Sequence, residues 1–247
     1  MADGGAISSE NGYALESGAA IANARGAYGT LGFVGLRRDN GRAVIVTSYH
    51  VAFGRGAVAG EPVSILAHED AARRIGRSAY GRNGIVRLGG DDFWVDCAVV
   101  DLDSGIVGRA VSEHDVGEAD DEVPPLAVGD QLSAAGAATG VTRGVVVNVA
   151  FSDRILVGGR ITVTPRQIVV RSAKPGGAFS APGNSGAALR NQRGQIVGLL
   201  WGITPRGDGI ASPIAPLLRL LHVRIGSAAA ARDVSTLLGA RADANLR

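Results

Sequence analysis

Three side-chain types, in three separate settings, could together carry out acyl transfer. A serine lies between glycines in Gly183-Asn184-Ser185-Gly186, a histidine closes the β-branched run ending Thr47-Ser48-Tyr49-His50, and a carboxylate interrupts the apolar run Phe93-Trp94-Val95-Asp96-Cys97. A serine hydroxyl becomes nucleophilic only when a base takes its proton. The base in turn needs a carboxylate to orient it, and the developing oxyanion needs N–H groups aimed at it. Gly183 allows a tight turn with an unobstructed N–H. The N–H of Ser185 would point the same way, so the pair could form an oxyanion hole, and Gly186 would leave room for a substrate carbonyl. The competing reading of these four residues is a plain glycine-rich turn.

His50 competes with a structural reading too, since a histidine at an apolar strand end is commonly just a satisfied polar residue. The other histidines fit less well: His68 and His114 sit among acidic neighbours, and His222 lies on a terminal helical stretch. No pair of them has metal-ligand spacing, so no metal site is expected. The segment "DDFWVDCAVVDLD" holds five aspartates. Asp91 and Asp92 follow Gly89-Gly90 in a turn, and Asp101 and Asp103 fall at the far end. Asp96 alone sits inside the apolar run, where an unpartnered carboxylate is costly to bury. A histidine would supply the partner and be held in one tautomer by it. Acceptance of backbone N–H bonds is the alternative.

These residues must be positioned by strands. From Gly29 onward, short apolar runs alternate with Gly, Asn and Asp, the pattern of an all-β barrel or sandwich. "DNG" at 39–41 marks a hairpin. Residues 1–27 read as an N-terminal segment, partly mobile, in which Tyr13 to Ala24 suggest a short helix. Residues 28–115 make a first set of strands. The acidic stretch 112–124 marks a linker, set at 116–128. Residues 129–222 make a second set closed by a helix over "PIAPLLRLLHV", and residues 223–247 form a tail. The 37 glycines, about twice the usual share, agree with many turns.

The bulk numbers exclude several classes. Net charge is +2, with no arginine cluster on one face, so nucleic-acid binding is not expected. Cys97 is the single cysteine, so no internal disulfide can form, which suits a reducing compartment. The first residues lack the pattern of a signal peptide. No apolar run is long enough to span a membrane. The expectation is a soluble, cytoplasmic protein without a cofactor; oligomeric state is left open.

Together the motifs resemble those of trypsin-like, chymotrypsin-fold serine proteases over roughly residues 28–222. "VTSYHV", "VDCAVVDL" and "PGNSGAAL" are similar to that family's histidine, aspartate and serine motifs, in the same order and at similar gaps. The forms are most similar to bacterial HtrA-type and NAL1-like trypsin-type proteins, without a PDZ domain. The resemblance implies two six-stranded antiparallel β-barrels with a short C-terminal helix. It implies a serine endopeptidase acting on polypeptides through His50, Asp96 and Ser185, with the oxyanion hole at Gly183, Asn184 and Ser185. Trp201 and Gly202 would bind the substrate backbone, Gly209 would form the opposite pocket wall, and Phe179 would lie at the pocket base. Asn184 replaces the aspartate that, in many animal members, pairs with a freed N-terminus, so activation by N-terminal cleavage is not expected. Two other functions compete: a catalytically silent protease-fold binding protein, and an esterase-like hydrolase using the same three residues.

Overall fold

A computed structural model describes residues 15–66, 72–104, 106, 125–157 and 159–225, together with the short strands β1 (Ser8–Ser9) and β2 (Gly12–Tyr13). The acidic stretch 112–124, His68, His114 and the tail from 226 lie outside the described residues.

The first unit contains β3 (Ala20–Asn23), β4 (Tyr28–Thr30), β5 (Phe33–Arg37), β6 (Ala43–Thr47), the one-turn helix α1 (Tyr49–Ala52), β7 (Pro62–Leu66), β8 (Ala72–Leu88) and β9 (Asp91–Leu102). The second contains β10 (Gln131–Gly136), β11 (Gly140–Val157), β12 (Arg160–Ser172), β13 (Ala188–Asn191), β14 (Ile196–Ile203) and β15 (Gly209–Pro213). It is followed by α2 (Ile214–Leu220) and β16 (Val223–Ile225). The second unit is a closed barrel in the order β10-β11-β12-β15-β14-β13. The first is an eight-stranded sheet in the order β16-β5-β6-β9-β8-β7-β3-β4. Six of those strands form its body, and β4 and β16 extend its two ends. The fold is all-β, with the short helix near the C-terminus, as the motifs imply.

Local chemistry explains most elements. The hairpin at 39–41 forms between β5 and β6, with Leu36 opposite Ala43 and Gly41 at φ +70°. α2 begins directly after Pro213, and Pro216 falls in its first turn, where a missing N–H breaks no helical bond. Residues 15–24 do not form the expected helix. Ala20–Asn23 is a strand, because Ile21 is fully buried in the first core and pairs with Ile65. β8 runs unbroken through several glycines that read as separators. At Gly76 and Gly81 a Cβ would lie 2.1 Å from Asp101 O and 2.6 Å from Cys97 O, so these glycines let β8 press against β9.

β9 is buried on both faces and therefore reads as a continuous apolar run. Ala98, Val100 and Leu102 point into the first unit's core. Val95, Cys97 and Val99 point into a second cluster, shared with Leu199 of β14 and with Leu217 and Leu221 at α2. That shared cluster joins the two units. It is reinforced where β16 pairs with β5 and where Tyr80 donates to the Leu221 carbonyl.

Candidate active site

β6 delivers the chain to α1, where Val51 and Ala52 plunge into the first core and leave His50 on the rim. The His50 side chain is 40 % exposed while that of Asp96 is 4 % exposed. Strand parity selects Asp96: it lies midway along β9, on the same face as Ala98 and Val100. His50 Nδ1 lies 2.8 Å from Asp96 Oδ2, and the His50 backbone N–H donates to Oδ1 at 3.2 Å. Asn83 Nδ2 adds a third hydrogen bond, donated to Oδ2 at 3.1 Å. With the Nδ1 proton facing the carboxylate, Nε2 is left as the basic nitrogen. Burial lowers the proton affinity of His50, but the Asp96 hydrogen bond and charge outweigh it, and the ring titrates above its ordinary value.

The other four aspartates of this segment pair with arginines. Asp91 lies 2.5 Å from Arg166, Asp92 2.8 Å from Arg87, Asp101 2.8 Å from Arg37 and Asp103 2.6 Å from Arg74. The neighbouring Cys97 thiol is pushed far up by burial, with the Asp96 charge adding to the effect, and stays protonated.

The serine loop is two consecutive turns. Asn184 N–H donates to Ala181 O at 3.0 Å across Pro182-Gly183, with Gly183 at φ +100°. Ala187 N–H donates to Asn184 O at 3.0 Å across Ser185-Gly186, with Gly186 at φ +96°. A positive φ at the third residue and not the second makes both type II, and Pro182 suits the second position. The plain turn and the nucleophile loop are thus the same local structure, and their surroundings distinguish them. Thr30 holds the loop twice, through Oγ1 to Gly183 O and through its N–H to Ser185 O, both at 2.8 Å. The Leu200 carbonyl accepts from Gly186 N–H at 2.7 Å and from Ser48 Oγ at 3.0 Å. One carbonyl therefore holds both the serine loop and the segment that carries His50. Among the described residues, the N–H groups of Gly183 and Ser185 have no acceptor, and no hydrogen bond joins Ser185 Oγ to His50. Asn184 uses its own N–H inside the first turn. Its buried side chain accepts from Ala138 N–H at 3.1 Å and donates to Thr139 Oγ1 at 2.7 Å. It anchors the loop to the β10–β11 connection.

The remaining candidates lie in the second barrel. Trp201 and Gly202 lie half-buried near the end of β14, and Gly209 pairs with Ile203 at the start of β15. Trp201 Nε1 donates to Gln167 Oε1 at 2.6 Å. Gln167 is fully buried, and its Nε2 donates to Trp94 O at 3.0 Å and to Pro165 O at 2.8 Å. Trp94 and Trp201 approach to 6.4 Å between ring centroids, so the indole is fixed where the two units meet. Phe179 is fully buried; a Cβ at Gly144 or at Gly209 would come within 2.7 Å of its ring. Sequence reasoning missed Thr30, Asn83 and Gln167. Nothing local distinguishes any of the three. No group of potential metal ligands occurs among the described residues, and none of their helices is long and apolar enough to cross a membrane.

No family model matches the chain. A "Serine protease Do-like HtrA" of Lactobacillus helveticus is 28% identical over 162 residues, which is 66% of this chain and 33% of that protein. The chain thus spans about a third of that relative's length. Among solved structures, a glutamic acid-specific serine protease matches with a TM-score of 0.60 at 18% identity, covering 85% of this chain and 99% of its own. Thermobifida fusca Protease A matches at 0.57 and 17% identity, covering 87% and 99%. A Nocardiopsis protease matches at 0.56 and 19% identity, covering 85% and 98%. At these identities the structural likeness establishes the chymotrypsin-like fold.

Proposed function

We propose that the protein is a serine endopeptidase. Ser185 Oγ attacks the scissile carbonyl and gives its proton to His50 Nε2. The N–H groups of Gly183 and Ser185 receive the oxyanion. As the C–N bond breaks, His50 returns the proton to the departing amine, leaving an acyl-enzyme on Ser185. Water, activated by the same imidazole, releases the new carboxylate and restores the serine. Asp96 holds the ring and stabilises the imidazolium without itself being protonated.

The observation that carries this reading is the His50–Asp96 pair at 2.8 Å, its carboxylate buried. It lies beside a serine loop whose Gly183 and Ser185 N–H groups have no acceptor among the described residues. A buried pair of that kind has no structural need for a serine loop tied to the same Leu200 carbonyl.

Fluorophosphonate labelling tests the proposal. The wild-type chain is expected to label at Ser185, with labelling abolished in Ser185→Ala and strongly slowed in His50→Ala. Absence of wild-type labelling would replace the hydrolase with a binding scaffold. A digest of a proteome-derived peptide library, compared with Ser185→Ala, then reads the specificity. Cleavage after small or medium uncharged residues is expected, since Phe179 closes the space between Gly144 and Gly209. Efficient cleavage after Arg or Lys would contradict it, and turnover of esters without any peptide cleavage would favour an esterase.

A further inference from the structure

We propose that Asn83 is a positioning residue of this unit, its side-chain N–H holding the Asp96 carboxylate in the orientation that meets His50 Nδ1. The inference rests on the proposed roles of His50, Asp96 and Ser185 and extends them to a residue of a different strand.

Four observations support it. Asn83 is the direct cross-strand partner of Asp96, in a register that runs without a shift from Tyr80 opposite Val99 to Leu88 opposite Asp91. Directly opposed residues share a face of the sheet, with Cβ atoms about 5 Å apart. The amide therefore reaches the carboxylate from the neighbouring strand. Secondly, the Asp96 side chain is 4 % exposed, so bulk water cannot take over as the donor. Thirdly, Asn83 Oδ1 is buried without a partner among the described residues. Reversing the amide would set that oxygen against an Asp96 oxygen, so the strand keeps an orphan carbonyl in order to keep the N–H on the carboxylate. Orphan buried acceptors are uncommon and call for a reason of this kind.

Fourthly, the chemistry of the partner is selective. Asp91, Asp92, Asp101 and Asp103 each pair with an arginine, whereas Asp96 receives a neutral amide. A guanidinium in that place would neutralise the charge that Asp96 must offer to the imidazolium. An amide orients the carboxylate and leaves its charge for His50. Among the described residues, the charged group acting on the imidazole is Asp96.

The test uses the full chain with Asn83→Leu, which matches the shape of asparagine while removing both the donor and the orphan oxygen. Fluorophosphonate labelling is followed against pH, and the His50 ring protons are titrated by NMR in the same protein. Labelling at neutral pH is expected to slow about tenfold, the effect of losing one hydrogen bond to a charged group. The His50 midpoint should move downward, because the Asp96 hydrogen bond that raises it is held less well. The thermal midpoint should hold, since the orphan oxygen leaves together with the donor. Should the leucine variant fail to fold, Asn83→Ala is read in the same way. A wild-type labelling rate together with an unmoved His50 midpoint would overturn the proposal. If the wild-type chain does not label at all, the acyl-transfer reading fails, and the NMR midpoint alone decides whether Asn83 holds Asp96.

Discussion

The two glycines flanking Ser185 are expected to fail in different ways when given a side chain. In Gly183→Ala the new Cβ would meet Tyr28 Cε2 at 3.0 Å and Ala138 Cβ at 3.2 Å, contacts that a small shift relieves. The backbone at φ +100° is the larger problem. Holding a non-glycine residue there costs about 1–3 kcal/mol. The turn can escape by flipping its middle peptide into type I, where the third residue sits near φ −90° and accepts alanine. That flip swings the residue-183 N–H away from the position proposed for the oxyanion. Loss of one such donor lowers kcat by about 10²–10³, or roughly 3–4 kcal/mol of transition-state stabilisation. The variant is therefore expected to fold, with a melting temperature near wild type, an unchanged KM for a short peptide ester and kcat at least a hundredfold lower. In Gly186→Ala the Cβ would lie 2.3 Å from both Thr30 O and Thr47 Oγ1. Thr30 O is a backbone atom of a paired strand and cannot retreat, and the Thr47 hydroxyl is fully buried against it, so the loss should exceed about 4 kcal/mol and appear as unfolding. Steady-state kinetics and thermal melts on the two variants check the pair. A Gly183→Ala enzyme with wild-type kcat would refute the oxyanion assignment, and a stable Gly186→Ala protein would refute the packing argument.

The pH dependence should run in opposite directions for rate and stability. Only neutral imidazole is a base, so kcat/KM should rise with pH through a single ionisation lying above the ordinary histidine value of 6.5. The His50–Asp96 pair should stabilise the fold fully below the unfolded histidine pKa and lose that contribution as pH rises through the raised folded one; rate profiles and melts across this window would show both. Ser185→Ala and His50→Ala should each lower the rate by several powers of ten without adding, because each removes the same pathway. Asp96→Asn should cost less, while Asp91→Asn or Asp92→Asn leaves the rate nearly unchanged; a silent Asp96→Asn would overturn the choice of carboxylate. Gln167→Leu removes the acceptor of the Trp201 indole, so KM for extended peptides should rise while turnover of a short ester is preserved, and comparing the two substrates tests it.

Much of this protein was legible in its chain because the relevant information is local. The alternation of apolar runs and turn residues marked β5, β6, β9 and β14. Asn40-Gly41 specified the β5–β6 hairpin, and Pro213 and Pro216 placed the start of α2. Pro182-Gly183 and Gly186 dictated two type II turns around Ser185, since few other residues suit those dihedrals. Asp96 stood out because a carboxylate inside an apolar strand requires a partner. The tertiary structure decided which groups meet across long stretches of chain. Ile21 is drawn into a strand by packing that outweighs local helical preference, and β8 runs through glycines that looked like breaks because β9 presses against them. β16 extends the first sheet only because α2 returns the chain to β5. Thr30 reaches Gly183 across 153 positions, and Leu200 O meets Ser48 across 152. Asn83 faces Asp96 only in one strand register, and Gln167 finds Trp94 and Trp201 only once the two units have packed. Turn dihedrals and strand period are properties of a few consecutive residues, whereas hydrogen-bond partners of buried polar groups depend on register and packing, which the whole fold sets together.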